Sequence, residues 1–131
     1  METIRYIHTA IKRTRGVVGT VIVLDPLEKT WTLCGVGNIS FRFSGSKQAK
    51  GYLSYNGIIG HNIPNSLNDQ IIALQEYQQI VLCSDGIKSR WEPAKFPAMQ
   101  KHELIVQAAA LYKDFARKTD DMSIIIGRVE A

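Results

Sequence analysis

The sequence predicts an α+β fold, an antiparallel β-sandwich flanked by helices, formed as one domain by residues 1–131. Two observations support this fold class. Strand-length apolar runs follow one another with short turns between them, and helical periodicity is confined to one segment near each end. Consecutive strands joined by short turns favour antiparallel sheets. The length suits a single domain with a single core.

The two predicted helices are amphipathic. Residues 2–13 place Ile4, Ile7, His8 and Ile11 on one face, which is typical of a helix lying on a core. Lys101–Phe115 is the clearer helix. Its predicted core face consists of Leu104, Ile105, Ala108, Leu111, Tyr112 and Phe115.

The first predicted strands form a hairpin. Val17–Leu24 is an apolar, β-branched run that indicates a buried strand, Asp25-Pro26 opens a turn, and Thr30–Val36 is the second strand. Gly35 and Gly37 interrupt its end and indicate a bend or a close backbone approach.

Shorter strands fill the middle of the chain. Ile39–Ser44 is extended, residues 45–51 are a polar loop, and two short strands, Tyr52–Ser54 and Ile58–Ile59, flank an Asn56-Gly57 turn. After a loop over residues 62–68, two further strands are predicted to form a second hairpin. These are Asp69–Leu74 and Gln79–Ser84. Residues 86–100 form an irregular connection, and Met122–Val129 is the last strand.

Bulk composition excludes several functional classes. The longest apolar stretches are strand-sized, and charged residues interrupt Met1–Arg15, so we expect no membrane span and no signal peptide. The net charge is only +4 and the basic residues form no dense stripe, so we expect no nucleic-acid partner. Cys34 and Cys83 lie in apolar runs without zinc-ligand spacing and are expected to be buried free thiols. A cytoplasmic protein is the resulting expectation.

Two acidic sites lie at strand ends. Asp85 directly follows the apolar run Ile80–Cys83, and Asp120-Asp121 directly precedes Ser123–Gly127. If the two strands are antiparallel neighbours, Asp85 and Asp120 converge on one rim. Converging carboxylates repel unless a cation neutralises them, and oxygen ligands without cysteine suit Mg²⁺ or Mn²⁺. The alternative is that both motifs are ordinary polar turns.

The combination of motifs resembles the PPM (type 2C) superfamily of metal-dependent serine/threonine phosphatases. Ser84-Asp85-Gly86-Ile87 is similar to its second aspartate motif, and Asp120-Asp121-Met122-Ser123-Ile124 to its closing motif. Other segments resemble the bacterial branch that includes the sporulation stage II phosphatase. These are Thr14-Arg15-Gly16, Gly35-Val36-Gly37-Asn38-Ile39, Gly57-Ile58-Ile59-Gly60-His61, Ser89-Arg90-Trp91 and the helix end Leu111–Arg117.

The resemblance implies a two-metal centre of Mn²⁺ or Mg²⁺ that activates water for attack on phosphorus. Asp85 and Asp120 would be metal ligands. Gly86 would allow a close backbone approach beside the metal. Asp121 would contact the metal ligands rather than the metal, or would cap the turn. Asn38 and His61 follow glycine-rich turns and are candidates for substrate contact, although local turn geometry is the simpler reading for both.

Partners also follow from the resemblance. It implies a phosphorylated bacterial signalling protein as substrate, specifically an anti-sigma-factor antagonist, and an ATPase domain upstream in the full-length protein.

One family motif is missing. The family's first Asp-Gly pair lies upstream of the opening helix, whereas Asp-Gly occurs here only at Asp85-Gly86. We therefore expect the chain to be the C-terminal portion of such a domain, with weak or no catalysis on its own. Open sheet edges would then favour a homodimer. The alternative is a non-catalytic pseudophosphatase or protein-interaction module.

Overall fold

The computed structural model describes residues 2–44, 49–74, 79–88, 90–91 and 98–130. Its helices and strands, in chain order, are α1 (Glu2–Ala10), β1 (Gly19–Asp25), β2 (Thr30–Val36), β3 (Ser40–Ser44), β4 (Ala49–Leu53), β5 (Gln70–Ala73), β6 (Gln79–Cys83), a 3-10 helix (Met99–Lys101), α2 (Leu104–Phe115) and β7 (Ile124–Arg128). The strands form two sheets, ordered β1-β2-β5 and β4-β3-β6-β7. The pairings β1–β2, β2–β5, β3–β6 and β6–β7 are all antiparallel, which confirms the predicted α+β class.

The chain divides into two compact units. The first unit comprises Met1–Ile39 and Leu53–Leu74, and the second comprises Ser40–Tyr52 and Gln75–Ala131. Among the described residues, the first unit contains one sheet and α1, and the second contains the other sheet, the 3-10 helix and α2. The chain therefore enters the second unit, returns to complete the first, and enters the second again.

The first unit confirms the predicted amphipathic helix and the first hairpin. Ile4 of α1 is buried in a core with Cys34, Val36, Ile59 and Leu67. Ile7 and Ile11 pack against that core, although α1 itself ends at Ala10, three residues before the predicted end. The hairpin turn is held by the Asp25 carboxylate, which accepts hydrogen bonds from the backbone N–H groups of Leu27 and Glu28, each at 2.9 Å.

The prediction that β1 is a buried strand is wrong. Val23 is 54% exposed and Leu24 is 36% exposed. The reason is topological, because β1 lies at the edge of the sheet and pairs only with β2 among the described strands. A β-branched run indicates extended backbone, but it does not distinguish an edge strand from a central one.

The second predicted hairpin is also wrong. β5 pairs with β2 in the first sheet, whereas β6 lies between β3 and β7 in the second sheet. The connection between them, residues 75–78, lies outside the described residues. Both strands were predicted correctly as local elements. Their partners are distant in sequence, and local turn signals do not report such pairings.

The second unit is built around β6, which is buried at four of its five residues, with Leu82 half-buried. Its core contains Val81, Cys83, Ile87, Trp91 and Leu111. Trp91 is a packing residue of this core. Helix α2 contributes Leu111 to this core, and Phe115 packs against it.

The predicted core face of α2 is only partly correct. Ile105 and Tyr112 are 76% and 50% exposed, whereas Gln107 is 2% exposed. Gln107 is buried because its side-chain carbonyl accepts a hydrogen bond of 2.9 Å from the Gln79 amide. A buried amide needs such a partner, and apolar periodicity does not reveal it. The helix begins at Leu104 rather than Lys101, after the short 3-10 helix.

The shorter predicted elements differ in detail. Residues 49–51, predicted as loop, belong to β4, and residues 45–48, Ser89 and 92–97 lie outside the described residues. Ile58 and Ile59 do not pair with Tyr52–Ser54, because they form isolated bridges with Asn62 and Val17. In the described part, no helix combines the length and the apolar content that crossing a membrane requires.

Candidate functional site

The strands β6 and β7 bring the two acidic motifs together. They pair antiparallel, with Cys83 opposite Ile124 at the end of the ladder. One residue further, the Ser84 N–H donates to the Ser123 carbonyl at 3.0 Å. The end of β6 therefore lies beside the start of β7 at the same end of the sheet. The predicted convergence of Asp85 and Asp120 depends on this arrangement.

Gly86 supports the loop that carries Asp120. The Gly86 carbonyl accepts a hydrogen bond of 2.8 Å from the Arg117 N–H. At the other end of the loop, the Asp121 carbonyl lies so close that a Cβ on Gly86 would collide with it, and this Cβ would also lie 2.7 Å from Met122 Cγ. Both ends of the segment 117–121 thus rest on the residue next to Asp85. The backbone that lies closest to Gly86 is therefore that of this loop.

Ser84 ties the same two segments together through its side chain. The Ser84 hydroxyl oxygen accepts a hydrogen bond of 2.9 Å from the Ser123 N–H. The hydroxyl also lies 3.4 Å from the Asp121 carbonyl, to which it donates. This bridging role of Ser84 was not predicted from the sequence. A serine directly before the acidic turn is the signal that could have indicated it, because Ser hydroxyls bond readily to nearby backbone.

The three carboxylates lie at the surface. Asp85, Asp120 and Asp121 are all exposed, and Asp120 Oδ1 accepts a hydrogen bond of 2.8 Å from the Asp121 N–H. Asp121 therefore orients Asp120 through its main chain, and its carbonyl receives the Ser84 hydroxyl. The predicted roles of Gly86 and Asp121 in supporting the metal ligands remain predictions, and these backbone contacts are compatible with them.

The donor chemistry can be compared with what a divalent cation requires. Among the described residues, no group of three or more His, Cys, Asp or Glu side chains is placed to hold a metal ion. The adjoining Asp85 and Asp120 segments offer carboxylate oxygens only. Mg²⁺ is commonly held by one or two carboxylates together with waters and substrate phosphates. The residues present therefore fit such an ion in donor type and supply a minimal number of protein ligands.

Asn38 and His61 lie in the first unit, whereas the acidic motifs lie in the second. His61 Nε2 is 3.0 Å from the Thr14 carbonyl oxygen, a contact between segments 47 residues apart that holds the turn after α1. Asn38 is exposed and follows Gly37, whose φ of 109° requires glycine. A substrate contact by either residue remains a prediction.

Both cysteines are buried free thiols, as predicted. Cys83 ends β6 directly below the acidic turn. Burial raises the pKa of the Cys83 thiol from 9.0 to about 11, against the opposing effects of a Trp91 hydrogen bond and the Arg42 charge. Burial also raises the pKa of Cys34, with a further contribution from the Asp69 carboxylate. A raised pKa disfavours the thiolate, which is the reactive form of cysteine, and so argues against either thiol as a nucleophile.

Comparison with known proteins gives matches in structure only. No protein-family model matches the chain, and no curated protein sequence matches it. A structure from a study of the bacterial stressosome, described as a modular system that controls secondary messenger signalling, superposes with a TM-score of 0.83 and 25% identity over 97% of this chain and 66% of that chain.

Two further structures share the fold at lower identity. RsbX in complex with magnesium superposes with a TM-score of 0.77 and 17% identity over 98% of this chain and 64% of that chain. A bacterial serine phosphatase superposes with a TM-score of 0.68 and 13% identity over 98% of this chain and 66% of that chain. The chain has the fold found in these structures and spans slightly less than two thirds of the length of each.

Proposed function

We propose that the chain is part of a PPM-type protein phosphatase domain that hydrolyses phosphoserine or phosphothreonine with a divalent cation, Mn²⁺ or Mg²⁺. The observation that carries this proposal is the antiparallel pairing of β6 with β7, which joins the Asp85 and Asp120 segments where β6 ends and β7 begins. The likeness of the fold to a bacterial serine phosphatase and to magnesium-bound RsbX supports it.

In this proposal Asp85 and Asp120 hold the cation. A bound divalent cation supplies positive charge against phosphoryl oxygens and lowers the pKa of water. The Asp121 N–H keeps the Asp120 carboxylate in place, and Gly86 and Ser84 fix the spacing between the two acidic segments. The exposure of both carboxylates suits a substrate as large as a protein.

The substrate is proposed to be a phosphorylated protein of bacterial signalling, in particular an anti-sigma-factor antagonist. The support is that the similar structures come from the bacterial stressosome, from RsbX and from a serine phosphatase. We further propose that this chain alone is weak or inactive as a catalyst, because two carboxylates bind a divalent cation weakly. The complete centre would draw a further carboxylate from the rest of a longer domain, and an ATPase domain would precede it.

A Mn²⁺ titration followed by amide NMR tests the metal site directly. Paramagnetic Mn²⁺ broadens the signals of nearby residues, so we expect selective broadening around residues 84–87 and 119–123. Asp85→Ala and Asp120→Ala should each abolish it. Glu103→Ala is the matched control, because Glu103 is also an exposed carboxylate of the second unit and precedes α2, at the opposite end of that helix from Phe115, whose carbonyl accepts the Lys88 N–H. Broadening that persists in both site variants would refute the assignment.

The second candidate function is a non-catalytic interaction module with the same fold. It is favoured by the fact that no cluster of three metal-binding side chains occurs in the described segments. Absence of Mn²⁺ broadening in the native chain, together with normal folding, would support this candidate. Phosphoserine-peptide hydrolysis in Mn²⁺ that Asp85→Ala lowers by orders of magnitude would exclude it.

We also propose that the chain forms a homodimer through its sheet edges. In the described part, β1 and β5 end one sheet, and β4 and β7 end the other. Edge strands carry unpaired backbone groups that readily pair with another chain. Size-exclusion chromatography with light scattering should give twice the mass of 14.7 kDa, and a concentration-independent monomer would contradict this proposal.

A further inference from the structure

Three basic side chains border the acidic turns, and we name Lys88, Arg117 and Lys118 the cationic rim. All three are exposed. Lys88 lies three residues after Asp85, and Lys118 lies two residues before Asp120. The cationic rim therefore stands on the same two segments as the proposed metal ligands.

Backbone pairing fixes two members of the rim close together. Ile87 and Ala116 form an antiparallel bridge, with the Lys88 N–H bonded to the Phe115 carbonyl and the Arg117 N–H bonded to the Gly86 carbonyl, each at 2.8 Å. Ile87 is buried at 2% exposure, whereas Lys88 and Arg117 are both exposed, so the two cations lie at the surface beside this bridge.

Lys118 has an uncommon backbone conformation. Its φ is 58°, in the left-handed region that side-chain-bearing residues adopt infrequently. Lys118 thereby turns the chain between Arg117, whose N–H bonds to the Gly86 carbonyl, and Asp120. The loop thus places two consecutive cations between the end of α2 and the acidic motif.

Like charges on adjoining segments repel, so the cationic rim does not stabilise the fold by itself. In the chain without metal, Asp85, Asp120 and Asp121 offset its charge. A divalent cation on Asp85 and Asp120 would neutralise that offset and leave the rim net positive. The rim would then attract an anionic group that approaches the site.

We propose that the cationic rim binds acidic side chains of the phosphoprotein partner next to its phosphorylated residue. The inference rests on the proposed function, and it specifies the partner as a protein with an acidic stretch around the phosphoserine. Arg117 and Lys88 suit carboxylate groups, because guanidinium and ammonium groups pair with them in exposed positions.

Fluorescence anisotropy with labelled peptides, measured in the presence of Mn²⁺, tests the proposal on the whole chain. The main probe is a phosphoserine peptide with Asp and Glu flanks. One comparison peptide lacks the phosphate, another has neutral flanks, and a short single-stranded oligonucleotide is a fourth probe. We expect the acidic phosphopeptide to bind most tightly and the acidic unphosphorylated peptide to bind better than the neutral-flank phosphopeptide. Raising ionic strength should weaken binding, because exposed charges are screened beyond about 8 Å at physiological salt.

Substitutions then locate the binding. Lys88→Gln with Arg117→Gln should weaken the acidic phosphopeptide about tenfold, corresponding to ~1.4 kcal/mol, and should barely change the neutral-flank phosphopeptide. Lys12→Gln with Arg13→Gln is the matched control, because both residues are exposed and basic but lie in the first unit. Lys88→Arg should retain binding.

Two outcomes would overturn the proposal: equal weakening by rim and control variants, or tighter binding of the oligonucleotide than of the peptide. Absence of Mn²⁺ broadening in the native chain would instead refute the metal site, whereas normal broadening with peptide binding unaffected by the rim substitutions would refute the rim alone. The two failures are therefore distinguishable.

Discussion

Substitution of Gly86 by alanine tests how tightly the acidic loop is seated. The added Cβ would lie 2.7 Å from Met122 Cγ and closer still to the Asp121 carbonyl. Non-bonded carbon contacts are favourable only at about 3.5–4.0 Å, so the loop must move by nearly 1 Å. Overpacking of this kind costs about 1–3 kcal/mol, and loss of glycine flexibility in the unfolded chain offsets about 0.4–1 kcal/mol. We expect Gly86→Ala to lower the free energy of unfolding by about 1–2 kcal/mol.

Urea denaturation measures this difference, with Gly19→Ala as the matched control. A Cβ on Gly19 meets only Ile59 Cδ1, at an ordinary 3.9 Å, so the control should remain within about 0.5 kcal/mol of the native chain. Amide shifts of Ser84 and Ser123 should change in Gly86→Ala alone, because their hydrogen bonds cross the same junction. A Gly86→Ala chain as stable as the control, with unchanged amide shifts, would refute the close seating of the loop.

Three further outcomes are expected. Ser84→Ala removes the hydrogen bonds to Ser123 and Asp121 and should cost about 1 kcal/mol by urea denaturation; no loss would show that water replaces them. Burial raises the pKa of Cys83 from 9.0 to about 11, so the thiol loses its proton at lower pH in the unfolded chain than in the folded one. The free energy of unfolding should therefore fall as pH rises from 9 through 11, by about 1 kcal/mol at pH 10. The same dependence of stability on pH in Cys83→Ala would contradict this. Gln107→Ala removes the acceptor of the buried Gln79 amide and should lower the free energy of unfolding by about 2–3 kcal/mol, measured by thermal or urea denaturation. A loss below about 0.5 kcal/mol would show that the Gln79–Gln107 bond is not part of the core.

Local sequence signals were sufficient for several elements. Ile4, Ile7 and Ile11 recur at helical spacing, and the structure places them against the first core. Asp25-Pro26 predicted the turn that joins β1 to β2, and that turn is capped by the Asp25 carboxylate. These features depend on residues within one turn or one hairpin of each other, where spacing alone determines the geometry.

The remaining features depend on contacts between distant segments. β5 and β6 are adjacent in sequence but pair with different sheets, and no turn residue reports this. Gln107 is buried because Gln79, 28 residues away, donates a hydrogen bond to its side-chain carbonyl. At the candidate site, the aspartates stood out by their position at strand ends. The supporting bonds through Ser84 and Gly86 required the register of β6 with β7.

The alternating path of the chain between its two units has a consequence for synthesis and for dissection. The first unit is complete once residue 74 has left the ribosome, whereas β3 and β4 have already emerged and β3 still lacks its partner β6. During that interval β3 and β4 have only each other as sheet neighbours, and an open strand edge of this kind is exposed to misassembly. For the same reason no single cut separates the units. A free-standing first unit would require residue 39 to be spliced directly to residue 53, and a free-standing second unit would require residue 52 to be spliced to residue 75.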